Sequence, residues 1–340
     1  MDYALRERIG RPELFSGRKK ELAYYLKWIN DIKDEKSQST AVLARRKMGK
    51  TALMERLFNI TFFKNDGVVP FFYEVKENDV WIKDFCQDFF LTCVYQYIAF
   101  KSRNKEYLLP EGESDFQKAI EAAEKENLGY LTGFIESAAH AAKHENLDIL
   151  WKIAREFPKK IAARRNEYIV QMIDEFQFLN AVIFRDKELK IPAKNMAGGY
   201  LSTAESKIAP LLVSGSWVGW LMNLLRMMLP ARFKYKYLDN MPEDEALEMV
   251  FNYSRFFEEP VTGETAYLIG TICEGSPFYI SSIIRSEYEE KDLTTIDGLS
   301  RTLEFETLNN QGVIKGTWME YVKTAFHKVN NRNAKKIVLH

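Results

Sequence analysis

Two short runs of residues carry the types and spacing that chemistry needs. The first, Ala44-Arg45-Arg46-Lys47-Met48-Gly49-Lys50-Thr51, fits the pattern Ala/Gly-x-x-x-x-Gly-Lys-Thr. It follows the apolar Ala41-Val42-Leu43 and precedes a stretch with Leu53, Met54, Leu57 and Phe58 on one helical face. A loop between a strand and a helix aims its backbone N–H groups, with those of the helix N-terminus, at a phosphate. Gly49 allows close approach, Lys50 reaches the outer phosphates, the Thr51 hydroxyl suits Mg²⁺, and Ala52 continues the first helical turn. Ala44 stands where glycine is usual, and its methyl group is tolerable at a negative φ.

The second run is Asp174-Glu175, which closes the apolar Tyr168-Ile169-Val170-Gln171-Met172-Ile173. Two carboxylates at the end of a buried parallel strand lie where open α/β sheets bind ligands. With a phosphate loop upstream, Asp174 completes a Mg²⁺ shell with Thr51, and Glu175 polarises water.

These runs need a sheet to hold them. Apolar segments at 41–43, 68–75, 168–173 and 209–213 alternate with helical patterns. That alternation predicts a parallel sheet with helices on both faces. Residues 80–165 read as a helical insert, apart from a turn at Leu109-Pro110-Glu111-Gly112. Beyond Phe233 only helical patterns follow, over Asp239–Tyr253, Thr262–Cys273, Phe278–Lys291, Thr295–Leu308 and Trp318–His327. The expected organisation is a nucleotide-binding domain over 1–235, an all-helical lid over 236–328, and the start of a further domain over 329–340.

The 340 residues carry 48 basic and 48 acidic side chains, so no overall basic excess points to nucleic acid. Three cysteines without Cys-x-x-Cys spacing argue for reduced thiols and against a disulfide framework or thiolate zinc site. The charged start Met1–Arg6 shows no signal peptide, and the expected location is cytoplasmic. Ile208–Leu229 is long enough to span a bilayer. Its Pro210, Ser214, Ser216, Asn223 and Arg226 favour a buried strand running into a packed helix. No membrane partner is expected.

Further stretches extend the likeness of the two runs to a known family. Leu14-Phe15-Ser16-Gly17-Arg18 with Glu21-Leu22, Leu212-Val213-Ser214-Gly215-Ser216, Leu229-Pro230-Ala231-Arg232-Phe233 and Gly275-Ser276-Pro277 are the segments concerned. Together the sequence resembles the archaeal-type ATPase family in the STAND class of AAA+-related P-loop NTPases. The resemblance implies a P-loop NTPase sheet followed by a helical lid. It implies Phe15, Gly17 and Arg18 beside the adenine, and Gly275 and Pro277 at the base. It implies Ser214 as a sensor of the γ-phosphate and Ala44–Ala52 around the phosphates. Ala231 replaces a usual glycine. Asn333–His340 resembles the first helix of a truncated winged-helix domain.

Other groupings have plainer readings. His140 and His144 share a helix face but lack a third ligand, so a solvated face is preferred to a metal pair. Arg45, Arg46 and Lys47 belong to the phosphate loop before they make a nucleic-acid patch. Lys159, Lys160, Arg164 and Arg165 form a solvated stripe, and Trp217, Trp220 and Phe233 belong to core or interface. Arg232 has two readings of equal weight: a cation for the γ-phosphate, or a side chain snorkelling over apolar surface.

The expectation is therefore an ATP-binding, Mg²⁺-dependent ATPase that hydrolyses the β–γ bond as a nucleotide-controlled switch between ATP and ADP forms. Lys50, Asp174, Glu175, Ser214 and Arg232 are its candidate catalytic groups. Two alternatives stand beside it: a nucleotide-gated scaffold with little hydrolysis, and a DNA-associated ATPase of a mobile-element or defence system. A homo-oligomer, and a protein or DNA partner reached through further C-terminal domains, are the partners envisaged.

Overall fold

A computed structural model describes residues 4–108 and 115–328, with side chains to 323. The expected turn at 109–112 and the winged-helix segment at 329–340 lie outside the described residues. The chain forms two compact units, one of Met1–Pro12 and Lys19–Asp239, the other of Glu13–Arg18 and Asn240–His340. The division thus falls four residues after the expected 235, and the Phe15–Arg18 motif groups with the second unit.

The first unit is built on strands β1 (Thr40–Leu43), β2 (Val68–Glu74), β3 (Val80–Trp81), β4 (Tyr168–Asp174), β5 (Ile183–Phe184), β6 (Leu211–Gly215) and β7 (Lys234–Tyr237). Five of them form one parallel sheet in the order β2-β4-β6-β1-β7; β3 and β5 pair separately. Its helices are α1 (Lys19–Asn30), α2 (Lys50–Lys64), α3 (Ile82–Ser102), α4 (Phe116–Lys125), α5 (Thr132–Lys143), α6 (Leu147–Arg165), α7 (Leu201–Ala204) and α8 (Val218–Met228).

β1 and β6 are buried along their whole length, as expected for strands covered on both faces. β6 lies between β1 and β4, with Leu43 opposite Gly215 and Ile173 opposite Val213. That insertion brings the carboxyl ends of β1, β6 and β4 side by side, where parallel α/β sheets place ligands. α3 and α6 of the helical insert pack together through Phe85, Phe89, Phe90, Trp151 and Phe157, all buried. Each such side chain contributes about 1.5–3 kcal/mol by leaving water.

The apolar run 208–229 divides at Ser216 and Trp217, into β6 and α8. No described helix is long and apolar enough to cross a membrane. β7 departs from the sequence expectation, which placed no strand after Phe233. Its residues Lys234-Tyr235-Lys236-Tyr237 are half-buried or exposed. The strand is the sheet's outer edge beside β1, and edge strands carry such charged and amphipathic side chains.

The second unit contains α9 (Glu243–Phe257), α10 (Gly263–Ile272), α11 (Pro277–Ile284), α12 (Ile296–Leu308) and α13 (Val313–Lys328), and no strand among its described residues. The three acidic residues in the first turn of α9 favour the positive end of its dipole. α10 begins in a capping box made by Thr262 and Thr265, which satisfies two helix-end donors. α11 stops at Ile284, short of the expected Lys291. There the Ser286 hydroxyl turns to the buried Glu306 carboxylate (2.6 Å), and Lys291 Nζ donates to the carbonyls of Ile284 and Ser286.

Candidate active site

The loop Ala44–Gly49 leaves the buried end of β1 and turns into α2. Lys47 (φ 65°) and Gly49 (φ 81°) adopt left-handed backbone. Gly49 does so readily because it has no Cβ. Ala44 has no positive φ, so its methyl group imposes no strain. Gly49 caps α2 without a side-chain hydrogen bond. The first N–H groups of α2 therefore receive no acceptor from the capping side chain. Arg45 and Lys47 are exposed, and Met48 and Ala52 are buried. Arg46 pairs with Glu77 at 2.8 Å and lies 4.8 Å over the Trp217 ring, a distance at which cation and ring attract.

Lys50 is buried, with 4% of its surface exposed, and its Nζ donates to Ser216 Oγ at 3.3 Å. Burial pushes the ammonium below the ordinary lysine range; the nearby Asp174 and Glu175 carboxylates oppose that shift, and Arg46 adds to it. The direction is that of a charge taken out of water.

Asp174 at the end of β4 is wholly buried. Thr51 Oγ1 donates to its Oδ2 at 2.5 Å, the Ser214 hydroxyl donates to its Oδ1, and the Glu175 N–H donates to Oδ1 at 2.8 Å. A buried carboxylate needs such donors to remain charged. Glu175 follows in left-handed backbone (φ 54°), which swings its side chain out of strand register. Its carboxylate accepts from the Ser216 hydroxyl, from the Ser216 N–H at 3.1 Å, and from Gln177 Nε2.

Lys50, Thr51, Asp174, Glu175 and Ser214 are thus drawn together at the carboxyl ends of β1, β4 and β6. Arg232 is not. It precedes β7, whose first residue Lys234 pairs with Thr40 at the amino end of β1. Its Nε contacts Glu205 at 2.7 Å, and its carbonyl accepts from Gln38. β1 runs four residues from there to the phosphate loop. At the rise of a β-strand, about 10 Å of sheet separates Arg232 from the site.

Phe15, Gly17, Arg18, Gly275 and Pro277 belong to the second unit. There the two motifs converge on Met241–Glu245. The Arg18 N–H donates to Glu245 Oε2 at 2.5 Å, and Met241 N–H donates to the Gly275 carbonyl at 3.0 Å. Gly17 (φ 67°) has Glu245 and Met241 3.0 Å from where a Cβ would stand. Phe15 is half-buried, and Pro277 opens α11 at its first turn, where its missing N–H costs nothing.

Sequence reasoning missed Ser216, Gln177 and Glu245. Ser216 lies two residues beyond Ser214, so strand alternation could have placed both on one side. Nothing local marks Gln177 or Glu245. His140 and His144 lie with ring centroids 4.4 Å apart and planes tilted by 49°; among the described residues no group of three or more His, Cys, Asp or Glu could hold a metal ion.

No protein-family model and no curated protein matches this sequence. Solved structures do. A Walker-type ATPase of Pyrococcus abyssi superposes on 96% of this chain and 79% of its own, at TM-score 0.54 and 15% identity. The ORC1 protein of Aeropyrum pernix in complex with DNA scores 0.47 at 13% identity, over 87% of this chain and 67% of its own. The RuvB Holliday junction branch migration motor of Thermotoga maritima scores 0.42 at 12% identity, over 87% and 72%. At these identities the likeness is one of fold, and on the first comparison this chain has the fold of a Walker-type P-loop ATPase.

Proposed function

We propose that this protein binds ATP with Mg²⁺ and hydrolyses its β–γ bond, serving as a nucleotide-controlled switch of the STAND type. The observation that carries the reading is the meeting of Thr51 and Asp174 beside the buried Lys50. A hydroxyl and a carboxylate, both hard oxygen donors, stand next to a cation and a loop of backbone amides. Those two oxygens fit Mg²⁺, and Thr51 and Asp174 would hold it. Mg²⁺, when bound, neutralises charge on the phosphoryl oxygens.

In this reading the loop amides from Ala44 to Ala52 and the Lys50 ammonium bind the phosphates. Binding exchanges the Ser216 hydroxyl for phosphate oxygens as the partner of Lys50. Glu175 orients water for in-line attack and receives its proton. Ser214 holds Asp174. Arg232, away from the cluster, is given no part in the chemistry of its own chain. The two motifs that the resemblance assigns to the base meet at Met241–Glu245 in the second unit, which supports that unit as the part that answers to nucleotide.

Phosphate release by the purified protein, with Mg²⁺ and with EDTA, tests the proposal. Release should require Mg²⁺. Glu175→Gln should retain ATP and lose about 10²-fold or more in turnover. Failure of the wild-type protein to bind ATP would end the reading, and undiminished turnover in Glu175→Gln would remove Glu175 from its role.

A further inference from the structure

Gln177 has no exposed surface, although it is polar and lies only two residues beyond Glu175, in the short 3-10 helix Phe176–Asn180. Its Nε2 donates to Glu175 Oε2, the oxygen that also accepts the Ser216 N–H; the Ser216 hydroxyl takes Oε1. A carboxylate offers about four lone-pair sites. Three are occupied, two on Oε2 and one on Oε1, so Glu175 cannot rotate and presents a single open site, on Oε1.

The opposite end of the Gln177 amide has no partner. Its Oε1 is buried and accepts no hydrogen bond. Turning the amide over would set that oxygen against the Glu175 carboxylate, acceptor to acceptor, so the donor end is fixed on Glu175. A buried orphan acceptor is costly and rare, and here it is the consequence of that commitment.

Room for the amide comes from Gly215, the last residue of β6. A Cβ there would lie 1.9 Å from Gln177 Oε1 and 2.9 Å from its Cδ. Gly215 has no positive φ, so the backbone does not call for glycine. The neighbouring amide does.

We infer that Gln177 is a positioning residue for Glu175, and that Gly215 is a glycine in order to admit it. The inference rests on the reading of Glu175 as the residue that orients water. Its chemistry is that of aim: Gln177 and Ser216 choose which carboxylate oxygen faces the water.

The test uses full-length protein in five forms: wild type, Gln177→Met, Gly215→Ala, Glu175→Ala, and Gln177→Met with Glu175→Ala. Phosphate release gives kcat, and a fluorescent ATP analogue gives affinity and the number of sites per chain, which corrects for inactive protein. Gln177→Met and Gly215→Ala should each lower kcat by about 10- to 100-fold and leave affinity within about twofold. On Glu175→Ala, adding Gln177→Met should cost nothing more, whereas a merely structural role predicts the same loss in both backgrounds. Unchanged kcat, or equal losses in both backgrounds, overturns the inference. Should Gln177→Met fail to fold, Gly215→Ala carries the kinetic test, because the atoms it displaces are side-chain ends of Gln177 and Leu221 and no backbone. If the wild type binds ATP but releases no phosphate, the hydrolysis reading falls, and urea unfolding still decides this contact. Midpoint shifts of the two single variants that add in the double variant overturn it; shifts that fail to add sustain it.

Discussion

Thr51 and Asp174 share a 2.5 Å hydrogen bond across 123 residues of chain. One lies in the first turn of α2 and the other closes β4, and β6 lies between the strands that lead to them. The pair therefore depends on β4, β6 and β1 being paired in register, and it records at one point that order.

Lys50 should limit the stability of the ligand-free fold. Burial holds its ammonium below the unfolded lysine value of 10.5, so the folded chain binds protons less readily than the unfolded one. Stability should then rise as pH increases from the folded value toward 10.5, and below that window the full cost applies. Lys50→Met removes the cost. It should abolish ATP binding while raising the melting temperature of the free protein at pH 7. A gain of about 1 kcal/mol is about 2–4 °C for a unit of this size. Calorimetry with and without ATP checks both halves.

Glu55 sets a second pH dependence, of the same cause and opposite sign. Its carboxyl is buried and raised from 4.5 to about 7, mainly by desolvation, against hydrogen bonding and charge from Arg8. The folded state holds the proton more tightly than the unfolded state. Its contribution is therefore complete below about pH 4.5 and is lost as pH rises through about 7, as proton linkage requires. Glu55→Gln should flatten this slope and be the more stable protein at pH 8, by about 1–3 kcal/mol. Chemical denaturation of both proteins at pH 5, 6, 7 and 8 measures it; parallel curves would refute the assignment.

Gly275 tolerates no side chain. Its φ is 66°, and a Cβ would meet the Met241 carbonyl oxygen at 2.2 Å, a backbone atom that cannot swing away. Gly275→Ala should cost about 2–4 kcal/mol, read as a lower urea midpoint. Lys50 and its neighbours belong to the other unit, so nucleotide-independent fluorescence of Trp217 and Trp220 should retain its own transition.

Ala231 offers the reverse experiment. It is exposed and sits at φ 57°. There an L-residue pays about 1–2 kcal/mol and glycine does not. Ala231→Gly should stabilise the protein by about 0.5–1 kcal/mol after the extra entropy of the unfolded chain is subtracted. Equal or lower stability would mean that the local backbone relaxes.

The phosphate loop was legible because one contiguous segment holds every part of it: strand, turn, glycine, lysine and threonine. Asp174-Glu175 was legible for the same reason, an apolar run ending in two acids. Four of the five strands of the main sheet show as apolar runs, and the fifth does not. β7 is an edge strand whose lysines and tyrosines are exposed or half-buried, so it lacks the hydrophobic signal that burial imposes. Arg232 was ambiguous in sequence because an arginine after an apolar helix suits several roles; the pairing of Lys234 with Thr40 sets it near the amino end of β1, away from the phosphate loop. Glu245 reads in sequence only as one acid of the first turn of α9. Its partner is the N–H of Arg18, 227 residues away, and a backbone donor leaves no mark in composition.

That last contact has a consequence for anyone dividing the molecule. The polypeptide enters the second unit at Glu13, leaves it after Arg18, and returns at Asn240, so three peptide junctions join the two bodies. A recombinant piece starting at Asn240 would strand the Glu245 carboxylate without the amide it holds, and a nick after Asp239 would leave the pieces tethered. Excising the helical body intact requires a permuted gene, one that carries Glu13–Arg18 along as a separately spliced strip.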